Sequence, residues 1–287
     1  MEQSAPECLP SNRAGGMRNK NNTLVFLGAG RVATHLAPAL QESGMQILQV
    51  YSRTEESASA LARKLHADYT TSIDAVVSDA AYYFFSVSDA ILPELAAALA
   101  ARIPQACMVH TAGSMPLSVF TELGVARCGV FYPLQTFSQN RKLDTRVVPF
   151  FIEGSTSEVA SGLTEMASAI SPKVYPLSSE GRRRLHLAAV FANNFANHCY
   201  ALASGLLADE GLPFEVLLPL IDETAAKVHD LLPQEAQTGP AVRYDCNVLS
   251  AQSESLQGRL FYPEIYELMS RSIHHAAEEH KKSHNKK

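Results

Sequence analysis

From Thr23 onward, short apolar runs alternate with stretches whose apolar residues recur at helical spacing. Leu24 to Leu27 is a strand-like run that breaks into Gly28-Ala29-Gly30-Arg31-Val32-Ala33 and continues as a helix. Met45 to Tyr51 is a second run, followed by helix-like Glu55 to His66. Tyr82 to Val87, Ala106 to His110 and Arg127 to Phe131 read as further strands. Ser88-Asp89 opens a helix over Ala90 to Arg102, whose Pro93 is tolerated in the first turn. Val148 to Ile152 and Lys173 to Tyr175 flank a helix from about Ser157 to Ile170. This alternation predicts an α/β domain over residues 23–178, a doubly wound parallel sheet covered on both faces.

After Ser178 the strand signal ends, and an all-α domain is expected over 179–280. Ser178 reads as an N-cap. The pattern then runs unbroken to Ala208, roughly 30 residues or ~45 Å of helix. On a wheel of about 100° per residue, His186, Asn193 and Asn197 fall on one face, with Asn194 and His198 on its flank. A second helix runs to about His229. A Pro/Gly/Gln loop around Leu232 to Pro240 leads to Arg243-Tyr244-Asp245, and helical spacing resumes to His280.

The break after the first strand carries the most chemistry. Gly28 permits a tight turn, Gly30 lets the backbone approach a pyrophosphate, and Ala33 lets the helix pack on the strand. Free amides and the helix dipole near Arg31, Val32 and Ala33 then favour negative charge. A dinucleotide is the expected ligand. The second strand ends in Ser52-Arg53-Thr54, a little over ~20 residues past Gly28, where a domain for NAD carries an acid. A guanidinium between two hydroxyls suits a 2′-phosphate, so NADP(H) is favoured and NAD is less expected. The competing reading leaves Arg53 solvated and gives the ribose to Glu55 or Glu56.

Ligands in such sheets bind beyond the carboxyl ends of the strands. That rule selects Val87, Ser88, Asp89 and Thr111 for the cofactor, and His110, Gly113 and Gln135 beside it. His186 and His110 are candidate proton carriers, and Asn193 and Asn197 could hold a carbonyl oxygen or carboxylate. Arg243 and Asp245 are candidate substrate contacts on a structured loop. Arg182-Arg183-Arg184 reads as an exposed basic cluster in a first helical turn.

The chain has 287 residues, 46% hydrophobic, with formal net charge -5 and no sustained basic stripe, which argues against nucleic acid. Its longest apolar stretch, Leu185 to Ala208, is interrupted by His and Asn, which argues against a membrane span. Five scattered cysteines indicate a reducing, cytoplasmic setting, and no metal site is expected. Residues 1–22 are polar and predict a disordered tail, with Met17 a candidate start of the functional chain; 281–287 reads as a basic tail.

Together the fingerprint with Ser52-Arg53-Thr54, Val87-Ser88-Asp89, His110-Thr111-Ala112-Gly113-Ser114, Phe131-Tyr132-Pro133-Leu134-Gln135-Thr136-Phe137-Ser138, Leu185-His186 through Asn193-Asn194-Phe195, and Thr238-Gly239-Pro240-Ala241 with Arg243 and Asp245 resemble one bacterial family. Its members join a Rossmann-like NADP-binding domain to a helical domain of unknown function, with the family boundary nearer residue 132. The family is linked with deazaflavin-dependent NADP reductases, pyrroline-5-carboxylate reductases and the 6-phosphogluconate dehydrogenase superfamily. The resemblance implies an NADP-dependent oxidoreductase for a small carbonyl or imine compound, with a long helix that covers the nicotinamide and forms a homodimer. One departure stands out. The hydroxyacid dehydrogenases of that superfamily carry an acid/base Lys four residues before an Asn of the long helix, where this chain has Ala189 and Val190. A non-catalytic NADP(H) sensor is the alternative that this departure keeps open.

Overall fold

The computed structural model describes residues 20–138, 141 and 143–284. Most of the expected N-terminal tail, Met17 included, lies outside the described residues, and Lys20–Asn22 form a 3-10 turn. The elements that follow are β1 (Thr23–Leu27), α1 (Arg31–Glu42), β2 (Gln46–Tyr51), α2 (Glu55–Leu65), β3 (Asp68–Thr70), β4 (Tyr82–Phe85) and α3 (Leu92–Arg102). They continue with β5 (Met108–His110), α4 (Ser118–Thr121), β6 (Cys128–Pro133), β7 (Phe150–Gly154), α5 (Ser157–Ser168), β8 (Val174–Pro176) and α6 (Ser179–Ala189).

The strands form one sheet in the order β3-β2-β1-β4-β5-β6-β7-β8. Every residue of β1 is buried, as its central place demands. Helices cover both faces. Ala33, Leu36, Ala37 and Leu40 of α1, and Ala58, Leu61, Ala62 and Leu65 of α2, repeat at i, i+3, i+4, i+7 and bury one stripe each. Both pack with α5 on one face, around Phe26, Phe84 and Phe131. Leu92, Leu95, Ala96 and Leu99 of α3 cover Val25, Tyr83 and Phe85 on the other. Each fully buried Leu or Phe contributes about 1.5–3 kcal/mol.

The sheet departs from all-parallel at one edge. β6 and β7 pair antiparallel, and β7 and β8 pair parallel, so the last two strands run against the first six. The connections explain this. Among the described residues the link from β6 to β7 holds a 3-10 turn at Thr145–Val147 and no α-helix, whereas α5 provides the helical crossover that a parallel β7–β8 pair needs. Strand β3 is an addition that the sequence pattern did not disclose.

The chain divides after Asn193 into two compact units. In the first, Ser178 caps α6 by accepting from the Gly181 amide. The expected unbroken α-helix to Ala208 is corrected: a π-helical turn occupies Val190–Phe195 before α7 (Ala196–Asp209). Its i→i+5 bonding inserts extra residue into the turn, so a 100° wheel does not run through it. The shared face inferred for His186, Asn193 and Asn197 therefore lapses. The second unit contains α7, α8 (Leu218–Asp230), α9 (Pro233–Ala236), α10 (Pro240–Arg243), α11 (Cys246–Ser255) and α12 (Tyr262–His284). Part of the supposed basic tail thus belongs to α12; residues 285–287 lie outside the described residues.

Candidate functional site

A cleft of about 590 Å³ opens at the carboxyl ends of β1, β2 and β4, lined by Gly28, Ala29, Gly30, Ser52, Arg53, Val87 and Ser88. The two glycines do different work. Gly28 has φ +110°, and a Cβ there would come within 2.8 Å of the Ser86 carbonyl carbon, so the fold itself excludes a side chain. A Cβ on Gly30 would meet its nearest neighbour, the Ser86 carbonyl oxygen, only at 3.8 Å. Nothing in the protein forbids a side chain at Gly30; what needs the space is whatever approaches the helix. Gly30 is also the N-cap of α1 and supplies no side-chain cap, and no acid stands in the first turn, so the amides that open α1 are left for an anion. Ala33 is fully buried against the sheet, as expected, while Arg31 is exposed.

Arg53, which lines the cleft with Ser52, is exposed and makes no hydrogen bond or ion pair among the described residues. Thr54 is the extended residue before α2; its hydroxyl donates to Ser57 at 2.9 Å, and it is not among the cleft-lining residues. Sequence reasoning missed the apolar wall. Ile73, Ile91, Leu95 and Ala98 line the cleft with Tyr51 and Glu94, a slot suited to a flat base. The recurrence of Ile91, Leu95 and Ala98 at helical spacing was the available signal for three of them.

Beyond β4, Asp89 accepts a hydrogen bond from the Ser114 hydroxyl, joining the loops that follow β4 and β5. The Thr111 hydroxyl donates to the Phe85 carbonyl at 3.3 Å, which ties β5 to β4. Gln135 is exposed, and its Oε1 accepts from the Thr136 amide at 2.8 Å.

The histidines part company. His110 is fully buried, its Nδ1 accepts from the Ala112 amide at 3.2 Å, and its Nε2 has no partner of hydrogen-bonding geometry. Burial pushes the imidazole down to about 3, the Arg182 cation adds to this, and the Pro116 carbonyl opposes it. A ring that stays neutral and enclosed is not placed to pass a proton to a ligand, so the expectation for His110 is corrected to a structural one. His186 is half-buried, with Nδ1 3.2 Å from the Tyr132 hydroxyl and its ring edge-on to that tyrosine. Gly113 makes the meeting possible. A Cβ there would lie 2.6 Å from His186 Nδ1 and 2.8 Å from Tyr132 Cζ. Tyr132, at the carboxyl end of β6, was not singled out from the sequence; burial raises its phenol above the ordinary value, against the Arg182 charge.

Arg182 is the largest correction to the basic cluster. It is fully buried, while Arg183 and Arg184 are exposed. Its guanidinium bonds Glu153 at 2.5 Å and the Met115 carbonyl at 2.6 Å, and Glu153 also accepts from the Ser179 amide and hydroxyl. This knot fixes the first turn of α6 to β7 and to the segment before α4, and so sets the height at which His186 meets Tyr132.

Asn193 closes the first unit and is exposed. In the second unit, Asn197 is exposed, Arg243 ends α10 in solvent, and the Asp245 carboxylate caps α11 by accepting from the Val248 amide at 3.4 Å. No ion pair joins Arg243 to Asp245 among the described residues. The cap gives Asp245 a structural task that its expected role on a substrate did not foresee.

A glycine turn opening a 12-residue helix beside a partly apolar cleft at the strand ends is the arrangement of a dinucleotide-binding α/β protein. Residues 23–112 match the domain described as NADP oxidoreductase, coenzyme F420-dependent, and residues 148–273 match a domain of unknown function, DUF2520. A crystal structure from Bacteroides fragilis, of a protein assigned as an NADP oxidoreductase, is 50% identical and superposes with TM-score 0.84 over 89% of this chain and 99% of its own. The chain belongs to the same family as that protein, an NADP-oxidoreductase domain followed by DUF2520. The fold alone is shared with an imine reductase from Myxococcus stipitatus in complex with NADP+, 17% identical, TM-score 0.65, covering 89% and 94% of the two chains. It is shared likewise with a Plasmodium falciparum pyrroline carboxylate reductase with NADP bound, 11% identical, TM-score 0.56, covering 89% and 99%. No similar protein is found among the curated ones.

Proposed function

We propose that the protein is an NADPH-dependent oxidoreductase that reduces a small carbonyl or imine compound. The observation that carries this is the cleft, which is lined both by Gly30 at the uncapped start of α1 and by the unpaired Arg53 with Ser52. The residues fit the cofactor: the α1 amides would take the pyrophosphate, Arg53 and Ser52 the 2′-phosphate, and Ile91 and Leu95 the adenine face. The bound nicotinamide would supply hydride. The Tyr132–His186 pair supplies the proton in place of the absent lysine, and Asn193 is the candidate to hold the acceptor group. That the imine reductase and pyrroline carboxylate reductase of the same fold carry NADP supports the reading.

The missing lysine favours one second reading, an NADP(H)-binding protein without turnover. One experiment addresses both: NADPH and NADH titrations, followed by a panel of cyclic imines, ketones and aldehydes read at the nicotinamide absorbance. Tighter NADPH binding that Arg53→Ala abolishes, with turnover of any panel member, is the expected result. Binding without turnover leaves the sensor, and equal affinity for both cofactors refutes the 2′-phosphate assignment.

A homodimer is part of the proposal. Among described residues of the second unit only Ala241, Leu256 and Ser270 are buried, while Leu220, Leu260, Phe261 and Leu268 are more than 60% exposed. A helical unit with so little interior is completed by a second copy. Light scattering giving twice the chain mass is expected, and a stable monomer overturns it. No helix among the described residues is long and apolar enough to cross a membrane. Cys107, Cys128, Cys199 and Cys246 are free thiols, and a reducing, cytoplasmic setting is part of the proposal.

A further inference from the structure

Glu55 is the acid that would defeat the preference for NADPH. It is the first residue of α2, two positions from Arg53, where a carboxylate either pairs with that guanidinium or accepts from a ribose 2′-hydroxyl. Yet it does not line the cleft. Its Oε1 instead accepts a hydrogen bond of 2.9 Å from the Tyr69 hydroxyl. Tyr69 reaches it from β3, the edge strand beside β2, where it is paired with Val50, and it is not among the cleft-lining residues. Tyr69 therefore explains together why Arg53 has no ion pair and why the acid stays outside. A phenol is protonated at neutral pH and so is the donor here, and the bond to Glu55 raises it further above its ordinary value.

We propose that Tyr69 is a specificity-determining positioning residue: by holding the Glu55 carboxylate back against β3, it leaves Arg53 to a 2′-phosphate and so selects NADPH over NADH. This rests on the assignment of Ser52 and Arg53 to that phosphate. Released, Glu55 would repel the phosphate, compete for Arg53 and offer an acceptor to the ribose hydroxyl of NADH. Tyr69 acts through Glu55, so the two substitutions must be non-additive.

The test is the ratio of NADH to NADPH dissociation constants, by titration of the full chain, for wild type, Tyr69→Phe, Glu55→Gln and the double variant. Tyr69→Phe is expected to lower the ratio about three- to fivefold at low ionic strength, with less effect in high salt, the size of an exposed charge interaction. Glu55→Gln is expected to match or exceed the wild-type ratio, and Tyr69→Phe in that background is expected to change nothing further. A discriminating wild type whose ratio Tyr69→Phe leaves alone overturns the role of Tyr69 and spares the phosphate site. A loss that persists in the Glu55→Gln background overturns it too, because Tyr69 would then act directly. A wild type without preference for NADPH refutes the phosphate assignment and this inference with it. Unchanged melting temperatures exclude a folding defect as the cause.

Discussion

The Tyr132 hydroxyl and His186 Nδ1 meet at 3.2 Å above Gly113, joining the end of β6, the loop after β5 and the second turn of α6. A phenol next to an imidazole can release a proton to an acceptor and recover it through the ring. Tyr132→Phe removes the proton and keeps the packing. It is expected to slow turnover of a panel substrate about a hundredfold or more while NADPH affinity stays within a few-fold. His186→Gln should cost a similar factor, and the double variant little more, because the pair acts as a unit. Undiminished turnover in Tyr132→Phe sinks the assignment.

The two fingerprint glycines make a contrast that a melt and a titration resolve. At Gly28 an alanine must adopt φ +110° and collide with backbone, so Gly28→Ala should lower stability by roughly 1–3 kcal/mol as well as disturb the cleft. At Gly30 the nearest atom to a new methyl is 3.8 Å away. Gly30→Ala should therefore melt like wild type, or slightly higher, and lose most of its NADPH affinity. A destabilised Gly30→Ala, or one that binds normally, contradicts the division of labour.

How much of this was legible in the chain differs by element. The glycine turn, the strand runs and the Ser178 cap are local signals, and local rules of spacing and capping recover them. The reversal of β7 and β8 was not, because periodicity fixes the side-chain faces of a strand and says nothing of its direction; what betrays it is that no α-helix lies between Pro133 and Phe150 among the described residues. The π turn was hidden because Val190-Phe191-Ala192-Asn193-Asn194-Phe195 continues a good helical composition, and one change in bonding rotated everything inferred downstream. Arg182 was misread for a similar reason. Its charge predicted solvent, and the compensating Glu153 lies 29 residues away on a strand. Tyr132 likewise became a site residue only through its contacts with residues 113 and 186, far off in sequence.

His110 makes stability depend on pH on the acid side of neutrality. Burial holds its folded-state value at about 3, below the ordinary imidazole value of about 6.5, so the unfolded chain binds the proton first. The contribution is fully present above about pH 6.5 and is lost progressively as pH falls toward 3, at about 1.4 kcal/mol per pH unit between those limits. Between pH 6.5 and 5, before most carboxylates titrate, His110→Gln should flatten the fall in denaturation free energy by up to one proton's slope. An identical pH profile in wild type and variant would show that His110 is not held neutral.

The Arg182–Glu153 pair sets up the last test, which separates positioning from stability. Its carbonyl and hydroxyl partners leave only Arg182 Nε of the pair's buried polar side-chain atoms unsatisfied. Arg182→Ala strands a mostly buried carboxylate against Ser179 and empties a fully buried space, and should cost about 3–5 kcal/mol. Replacing both partners together, as Arg182→Met with Glu153→Leu, removes the desolvated charges and should recover much of that loss. What it should not recover is the placement of α6, because Ser179 loses the acceptor that fixes its amide and hydroxyl. The double variant is therefore expected to melt near wild type and bind NADPH normally, since no cleft residue has changed, yet turn over panel substrates more slowly through a displaced His186. Full activity in the stable double variant would mean that the ion pair holds the fold and has no part in setting the Tyr132–His186 geometry.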